Sequence, residues 1–307
     1  MRVGGQAIME GVLMRSPNFW GMAVRTPSGG LDVRAEPFNS VTKRSRLLRL
    51  PVVRGFVSLA ETLALGMKAL TISTNLALGE DEEEFSKKEL AATFLFAVVL
   101  GGGLFLVAPV LAVKAVGWLT DGPVENALLF NVIEGAVRIA IFMGYIVAIS
   151  AFSRDIKRFF GYHGAEHKAI KVYEAGDELV PKNARSLDTT HVRCGTSFIL
   201  YVLVLSILIF SLLGVEGLVY MIASRIIVIP LVAGLGFEFI MWSARYQDNP
   251  VVRAMTWPGL QLQRLTTREP DDEMVEVAMA SLKKVLSMEE AAKRDGVRDD
   301  VSAKLVI

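Results

Sequence analysis

Residues 91–113 read AATFLFAVVLGGGLFLVAPVLAV, a run of 23 residues without a charged side chain. A helix of about 20 apolar residues is long enough to cross the hydrocarbon core of a bilayer. The whole chain is 52% hydrophobic, and its apolar residues are concentrated in long blocks. The run therefore predicts a membrane-spanning helix in a polytopic membrane protein, with bends expected at its three glycines and at Pro109.

Three further apolar blocks predict further spans, at residues 127–152, 198–213 and 226–242. Glu134 and Arg138 lie four residues apart in the first of these blocks, so on a helix each can neutralise the other. We expect Pro230 to kink the last block and residues 215–225 to lie along the membrane interface.

Residues 52–78 are apolar except for one polar position in every seven: Arg54, Glu61, Lys68 and Asn75. On a helix this spacing places the polar groups on a single stripe. Each charge inside a span costs about 2.5–3.5 kcal/mol on insertion scales. We therefore interpret the segment as an interfacial or partly embedded helix, or a helix whose stripe is covered, rather than as a span.

Outside these blocks the sequence predicts short soluble elements. Residues 22–33 are expected to form two strands around a Pro-Ser-Gly-Gly turn. Residues 270–288 predict an amphipathic helix that begins with proline, and its apolar face is Met274, Ala278, Leu282 and Val285. The acidic residues 80–84 are expected in a solvated loop, and residues past 290 in a tail.

The predicted fold is mainly α: a polytopic helical membrane protein with about four transmembrane helices, a small N-terminal β-hairpin region and a cytoplasmic metal-binding loop domain. Six parts follow along the chain: residues 1–50, an N-terminal cytoplasmic region with short strands; 51–90, an amphipathic interfacial helix and acidic loop; 91–152, spans one and two; 153–196, a cytoplasmic His/Cys loop; 197–243, spans three and four; and 244–307, a cytoplasmic region with an amphipathic helix and tail.

The orientation follows from lysine and arginine, which are in excess in cytoplasmic loops. Residues 119–126 and 214–218 contain none, whereas residues 153–196 contain eight. We therefore expect a multi-pass protein with both termini and residues 153–196 in the cytoplasm.

The composition argues against several other classes of protein. A net charge of +1 provides no strongly basic face for nucleic acid, and a single cysteine cannot form an internal disulfide. The first residues lack the apolar core of a cleavable signal peptide, so insertion should rely on the internal helices. Membrane lipid and other membrane proteins are the expected partners, and the oligomeric state stays open.

The soft metal ligands of the chain form one cluster, since all three histidines and the only cysteine lie within 32 residues. His163 and His167 are four residues apart and would share one face of a helix. His191 and Cys194 are three residues apart and could chelate from one turn. Histidine nitrogen and cysteine thiolate are ligands of tetrahedral zinc sites, so zinc is the expected cofactor.

Glu166 completes an H-x-x-E-H string, the inverted form of the zinc-protease motif. If all four cluster residues bind zinc, the site is closed, and closed sites are usually structural. If only three bind, the fourth position can hold water and Glu166 becomes a candidate catalytic base. The third alternative is that the histidines are surface or packing residues and bind no metal.

Four strings together resemble one family: GGQAIMEGVLMRSP at 4–17, GYHGAEHKAI at 161–170, HVRCGTSF at 191–198 and LQRLTTREPDDE at 262–273. They are similar to the YqhQ-like proteins, a bacterial family of unknown function. The resemblance implies a bacterial inner-membrane protein and a predicted metal-dependent enzyme. The resemblance identifies no substrate. The description of the family as metal-dependent is based on the same His and Cys positions.

Two function hypotheses follow, and the sequence leaves open whether the protein is an enzyme. The first is an inner-membrane zinc hydrolase, in which His163, His167 and one or both of His191 and Cys194 hold the metal and Glu166 is the base. The alternative is a non-catalytic accessory or scaffold, for instance in membrane-protein assembly or quality control, in which zinc is structural. A transporter that uses Glu134, Arg138 and Glu238 ranks below both, because the metal ligands lie outside the bilayer.

Reporter fusions test the predicted orientation. Fusions at residues 122 and 216 should report the outside of the cell, and fusions at residues 175 and 290 the cytoplasm, because of the lysine and arginine asymmetry. A cytoplasmic signal from the fusion at residue 122 would contradict the prediction.

Overall fold

A computed structural model describes residues 1–78, 86–119, 126–213 and 217–294. The predicted acidic loop at 80–84 and the predicted tail from residue 295 onward lie outside the described residues, whereas residues 291–294 of the tail predicted past residue 290 are helical. The described chain is mainly helical, and it carries a small antiparallel sheet at its N-terminus.

The N-terminal region forms a four-stranded antiparallel meander rather than a single hairpin. Its strands, in spatial order, are β1 (Gly4–Ile8), β2 (Gly11–Arg15), β3 (Phe19–Arg25) and β4 (Leu31–Pro37). The predicted hairpin is confirmed as β3 and β4. Gly29 in their connection has φ of +85°, a left-handed conformation that glycine adopts without strain.

Both faces of this sheet are covered. Val12 and Met14 of β2 pack with α5 and α10 on one side, whereas Leu13 between them packs with Leu65 and Ala69 of α1 on the other. Successive strand residues point to opposite faces, so a strand covered on both sides reads as a continuous apolar run instead of an alternation. This pattern explains why β2 was not predicted as a strand.

The described helices, in chain order, are α1 (Val53–Ala77), α2 (Lys87–Gly102), α3 (Ala108–Leu119), α4 (Ala127–Phe152), α5 (Arg154–Ala175), α6 (Pro181–Ala184), α7 (Gly195–Phe210), α8 (Leu218–Arg245), α9 (Pro250–Thr266) and α10 (Asp272–Arg294). A π-helical turn, Gly103–Val107, joins α2 to α3. The predicted His/Cys segment at 153–196 contains helix α5 in its first half, where His163 and His167 are expected to share one helical face. The predicted amphipathic helix is confirmed as α10, although Asp271 caps it and Pro270 precedes the cap.

Within the described ranges, four helical stretches are long and apolar enough to cross a membrane: Val53–Ala77, Ala91–Leu119, Ala127–Phe152 and Leu218–Arg245. Three of them contain the predicted blocks 91–113, 127–152 and 226–242. The predicted block 198–213 lies in α7, whose 16 residues extend only about 24 Å against the roughly 30 Å of a bilayer core.

The fourth apolar stretch is α1, and its polar stripe is covered by other parts of the protein. Glu61 accepts hydrogen bonds from Ser40 at 3.0 Å and lies 3.6 Å from Arg15 of the sheet. Lys68 pairs with Glu36 of β4 at 2.7 Å. A helix whose middle packs against a soluble sheet fits the interfacial interpretation, although its length and composition also suit a span.

A buried charge cluster joins the helices α4 and α8. The predicted pair of Glu134 and Arg138 is present, and it has a third member, because Arg225 lies 3.4 Å from the same Glu134 oxygen. All three side chains are at most 3% exposed. Of the residues 215–225 expected along the membrane interface, 218–225 form the start of α8. Arg225 there is buried and donates to Asn131 and to the carbonyl of Met221.

We predict that Glu134→Gln destabilises the protein more than Arg138→Met does. Loss of the carboxylate leaves two buried arginines unpaired, and breaking a buried pair costs about 3–5 kcal/mol. After Arg138→Met, Glu134 still has Arg225. The double variant should melt above Glu134→Gln alone, since it removes one unpaired cation.

Thermal unfolding of the purified variants in detergent measures these differences. Glu36→Gln is the matched control, because its exposed pair with Lys68 should contribute about 1 kcal/mol or less. Simple additivity of the two single effects at positions 134 and 138 would show that the pair is not coupled.

Candidate metal centre

Three of the four predicted ligands meet in space. His163 and His167 lie one turn apart on α5, as predicted, with ring centroids 4.5 Å apart. Cys194 immediately precedes α7, and its Sγ lies 3.3 Å from Nε2 of His163. One ligand atom from each of these residues lies within 4.8 Å of the others. Such a set of two nitrogens and one sulfur matches the ligands of a zinc site.

The hydrogen bonds of the two histidines fix their tautomers. Nδ1 of His163 lies 2.7 Å from the carbonyl oxygen of Thr266, and Nδ1 of His167 lies 2.6 Å from that of Thr189. A carbonyl oxygen only accepts, so in each ring Nδ1 carries the proton and Nε2 keeps its lone pair. Metal-binding histidines are usually oriented by such a bond, so these residues fit a metal ion.

Cys194 occupies the N-cap of α7. Its Sγ accepts a hydrogen bond from the backbone N–H of Thr196 at 3.4 Å and lies 3.1 Å from the hydroxyl of the same residue. The start of a helix carries partial positive charge, which favours an anionic group there. Cysteine binds metal as a thiolate. A thiolate at Cys194 would be stabilised by the N–H and the hydroxyl of Thr196, in addition to a bound cation.

His191 does not join the other three in this geometry. Its ring lies 5.7 Å from that of His167, and its Nε2 donates to Glu174 at 3.3 Å. Its Nδ1 accepts from the backbone N–H of Arg193 at 3.3 Å. Burial lowers the pKa of His191 to about 4, and the Glu174 carboxylate offsets only part of that effect. The role of His191 as a metal ligand therefore stays a prediction. In this structure its side chain lines the site.

The predicted base, Glu166, lies beside the cluster and is only 4% exposed. Its Oε2 is 3.5 Å from Nε2 of His167. Burial raises the pKa of Glu166 to about 7, against the opposing influence of His163 and Arg193. A buried carboxyl group with a pKa near 7 is suited to exchange protons at neutral pH.

Strand β1 covers one side of the site. The sequence did not predict this contact. A side chain at Gly5 would come within 2.8 Å of Glu166, so only glycine allows this close contact. Gln6 lies against Gly66 of α1 and donates to the carbonyl of Thr62. The enclosed cavity has a volume of about 90 Å³, which is room for a few water molecules.

Two further contacts hold the His191–Cys194 segment, and the sequence did not reveal either. Gln263 of α9 accepts from the backbone N–H of His191 at 2.7 Å and donates to its carbonyl at 2.8 Å. Arg193 donates to Glu174 at 2.6 Å and to the carbonyl of Val3 at 3.1 Å. Partial burial raises the pKa of Glu174, but His191 and Arg193 together lower it further, to about 2.

Comparison with known proteins gives a family without an assigned activity. The family model "Protein of unknown function (DUF1385)" matches residues 50–288. "Uncharacterized protein YqhQ" of Bacillus subtilis (strain 168) is 31% identical over 301 residues, which are 95% of this chain and 94% of that protein. No solved structure matches. The family match includes every candidate ligand, and the relative also covers the sheet.

We predict that the zinc content of single variants will show a site with three protein ligands and not four. His163→Ala, His167→Ala and Cys194→Ala should each reduce the zinc content of the purified protein to a small fraction, because their ligand atoms converge. His191→Ala should retain most of the zinc, since its ring nitrogens bond elsewhere. Elemental analysis measures the metal content. Equal loss in all four variants would instead support a closed site of four ligands.

Proposed function

The chain belongs to the DUF1385 family of proteins of unknown function, and from that premise we propose that it is a zinc-dependent hydrolase of the bacterial cell membrane. His163, His167 and Cys194 would hold the zinc, and Glu166 would act as the base. The multi-pass arrangement, with the site and both termini in the cytoplasm, is part of this proposal.

The observation that supports it best is the pair of histidine tautomers. Both rings donate Nδ1–H to backbone carbonyls. Nε2 of His163 then lies 3.3 Å from the thiol of Cys194, and Nε2 of His167 lies 3.5 Å from Glu166. Three protein ligands with one open position are typical of catalytic zinc sites, whereas structural sites usually have four.

The surroundings suit proton transfer in hydrolysis. Zinc bound at this site would supply Lewis acidity at its open position. Glu166, buried against Gly5 and next to His167, would accept a proton from a water molecule in the cavity and later return it to the leaving group. Strand β1 restricts access, so bulk water is kept from the reacting atoms.

A structural zinc site in a membrane scaffold is the second candidate. His191 supports it, because its ring is only 5.7 Å from that of His167 and a rotation away from Glu174 would bring a fourth ligand closer. The small volume of the cavity, about 90 Å³, also favours this alternative, since it leaves little room for a substrate.

We predict that Glu166→Gln retains zinc and the melting temperature but fails to complement a deletion strain. The substitution keeps the shape of the side chain but removes the proton acceptor, and loss of a catalytic base typically lowers the rate by about 10² to 10⁴. Glu276→Gln is the matched control, because Glu276 forms an exposed pair with Arg25.

Complementation and zinc content are measured in the same strains, so no substrate need be known. Full complementation by Glu166→Gln with zinc retained would reject the catalytic role and leave the structural role. If Glu166→Gln loses zinc, then Glu166 is required for metal binding, and its assignment as a base fails.

A further inference from the structure

A second, larger cavity lies at the end of α8 and has no part in the metal centre. Its volume is about 540 Å³. Three arginines line it, each from a different part of the chain: Arg2 precedes the sheet, Arg54 is in the first turn of α1, and Arg245 ends α8. Glu238 is the only carboxylate in this lining.

This cavity has an excess of positive charge. Arg54 uses Nε and Nη2 to bind both oxygens of Glu238, at 2.7 and 2.5 Å, so the single carboxylate is already paired. Arg2 and Arg245 have no hydrogen-bond or ion-pair partner in the described part of the chain. Burial lowers the pKa of Arg2, the nearby charges of Arg193 and Arg245 lower it further, and the Glu174 carboxylate opposes them. The two guanidinium groups therefore lie near each other, and neither makes a direct ion pair with a carboxylate of the described residues.

The cavity lies where a membrane surface is expected. It lies at the end of α8, which is long and apolar enough to span a bilayer. Trp242 and Tyr246 border it, and they are 43% and 49% exposed. Aromatic side chains of this kind concentrate at the level of lipid headgroups. Phe237 and Met241 complete the lining with apolar surface.

We propose that this cavity binds the phosphate of an anionic phospholipid, with Arg2 and Arg245 as its ligands. Guanidinium groups bind phosphate oxygens in bidentate fashion, so two free arginines suit one headgroup. The apolar and aromatic wall suits the glycerol and upper acyl region, which free phosphate lacks. The proposal is independent of the zinc site, because none of these residues belongs to that site.

The test uses the full-length protein in neutral detergent with native mass spectrometry. Phosphatidylglycerol and phosphatidylcholine are titrated separately, and inorganic phosphate at millimolar concentration is the soluble competitor. The wild type should bind phosphatidylglycerol more tightly than phosphatidylcholine. The variant Arg2→Gln/Arg245→Gln should lose about 30-fold in affinity for phosphatidylglycerol, as expected for two basic residues near a lipid surface, and each single variant less.

The matched control is Arg253→Gln/Arg264→Gln, which removes two exposed arginines of α9 outside the cavity. It should keep the wild-type preference, and all variants should melt like the wild type because neither Arg2 nor Arg245 has a partner to lose. An unchanged preference in the cavity variant, or an equal loss in the control, would overturn the proposal. Displacement of the lipid by inorganic phosphate alone would assign the site to a soluble phosphate and also overturn it.

Discussion

The packing of strand β2 between two helical layers positions most of the functional features of this protein. Leu13 points to α1 and Val12 to α5 and α10, so packing holds both faces of the sheet. One layer fixes α1, whose polar stripe finds its partners on the sheet. The other fixes α5, and with it His163 and His167. The same sheet supplies Gly5, which closes the site over Glu166.

The sequence predicted the long apolar helices and the pairing of His163 with His167 well, because both depend on local periodicity. The charge-free run at 91–113 is sufficient to identify the apolar helical stretch of α2 and α3, and a spacing of four is sufficient to place His163 and His167 on one face. Helix α9 was not predicted, although Asn249 and Pro250 form a good N-cap and first position. This helix-start pattern is present in the sequence, but it lies between the stronger patterns of α8 and α10. Strand β2 was not predicted for a different reason, since burial on both faces removes the alternation.

The tertiary contacts of the site could not be predicted from spacing. The bond from His163 to Thr266 joins residues 103 apart in the chain, and Arg225 reaches Asn131 across 94 residues. Such partners become visible only when the helices are packed. This is why the ion pair of Glu134 and Arg138 was predicted without its third member. It is also why His191, adjacent to Cys194 in sequence, could be grouped with the ligands although its ring turns to Glu174.

The N-terminal segment connects the basic cavity with the candidate metal centre. Arg2 lines the basic cavity, and the residues that follow it, Val3 to Gln6, line the metal cavity. Arg193 lies close to both regions, because it borders the metal cavity and its charge lowers the pKa of Arg2. Arg2 therefore directly precedes the strand that covers Glu166. Since Gly5 leaves no free space beside that carboxylate, the position of this strand determines how closely another group can approach Glu166.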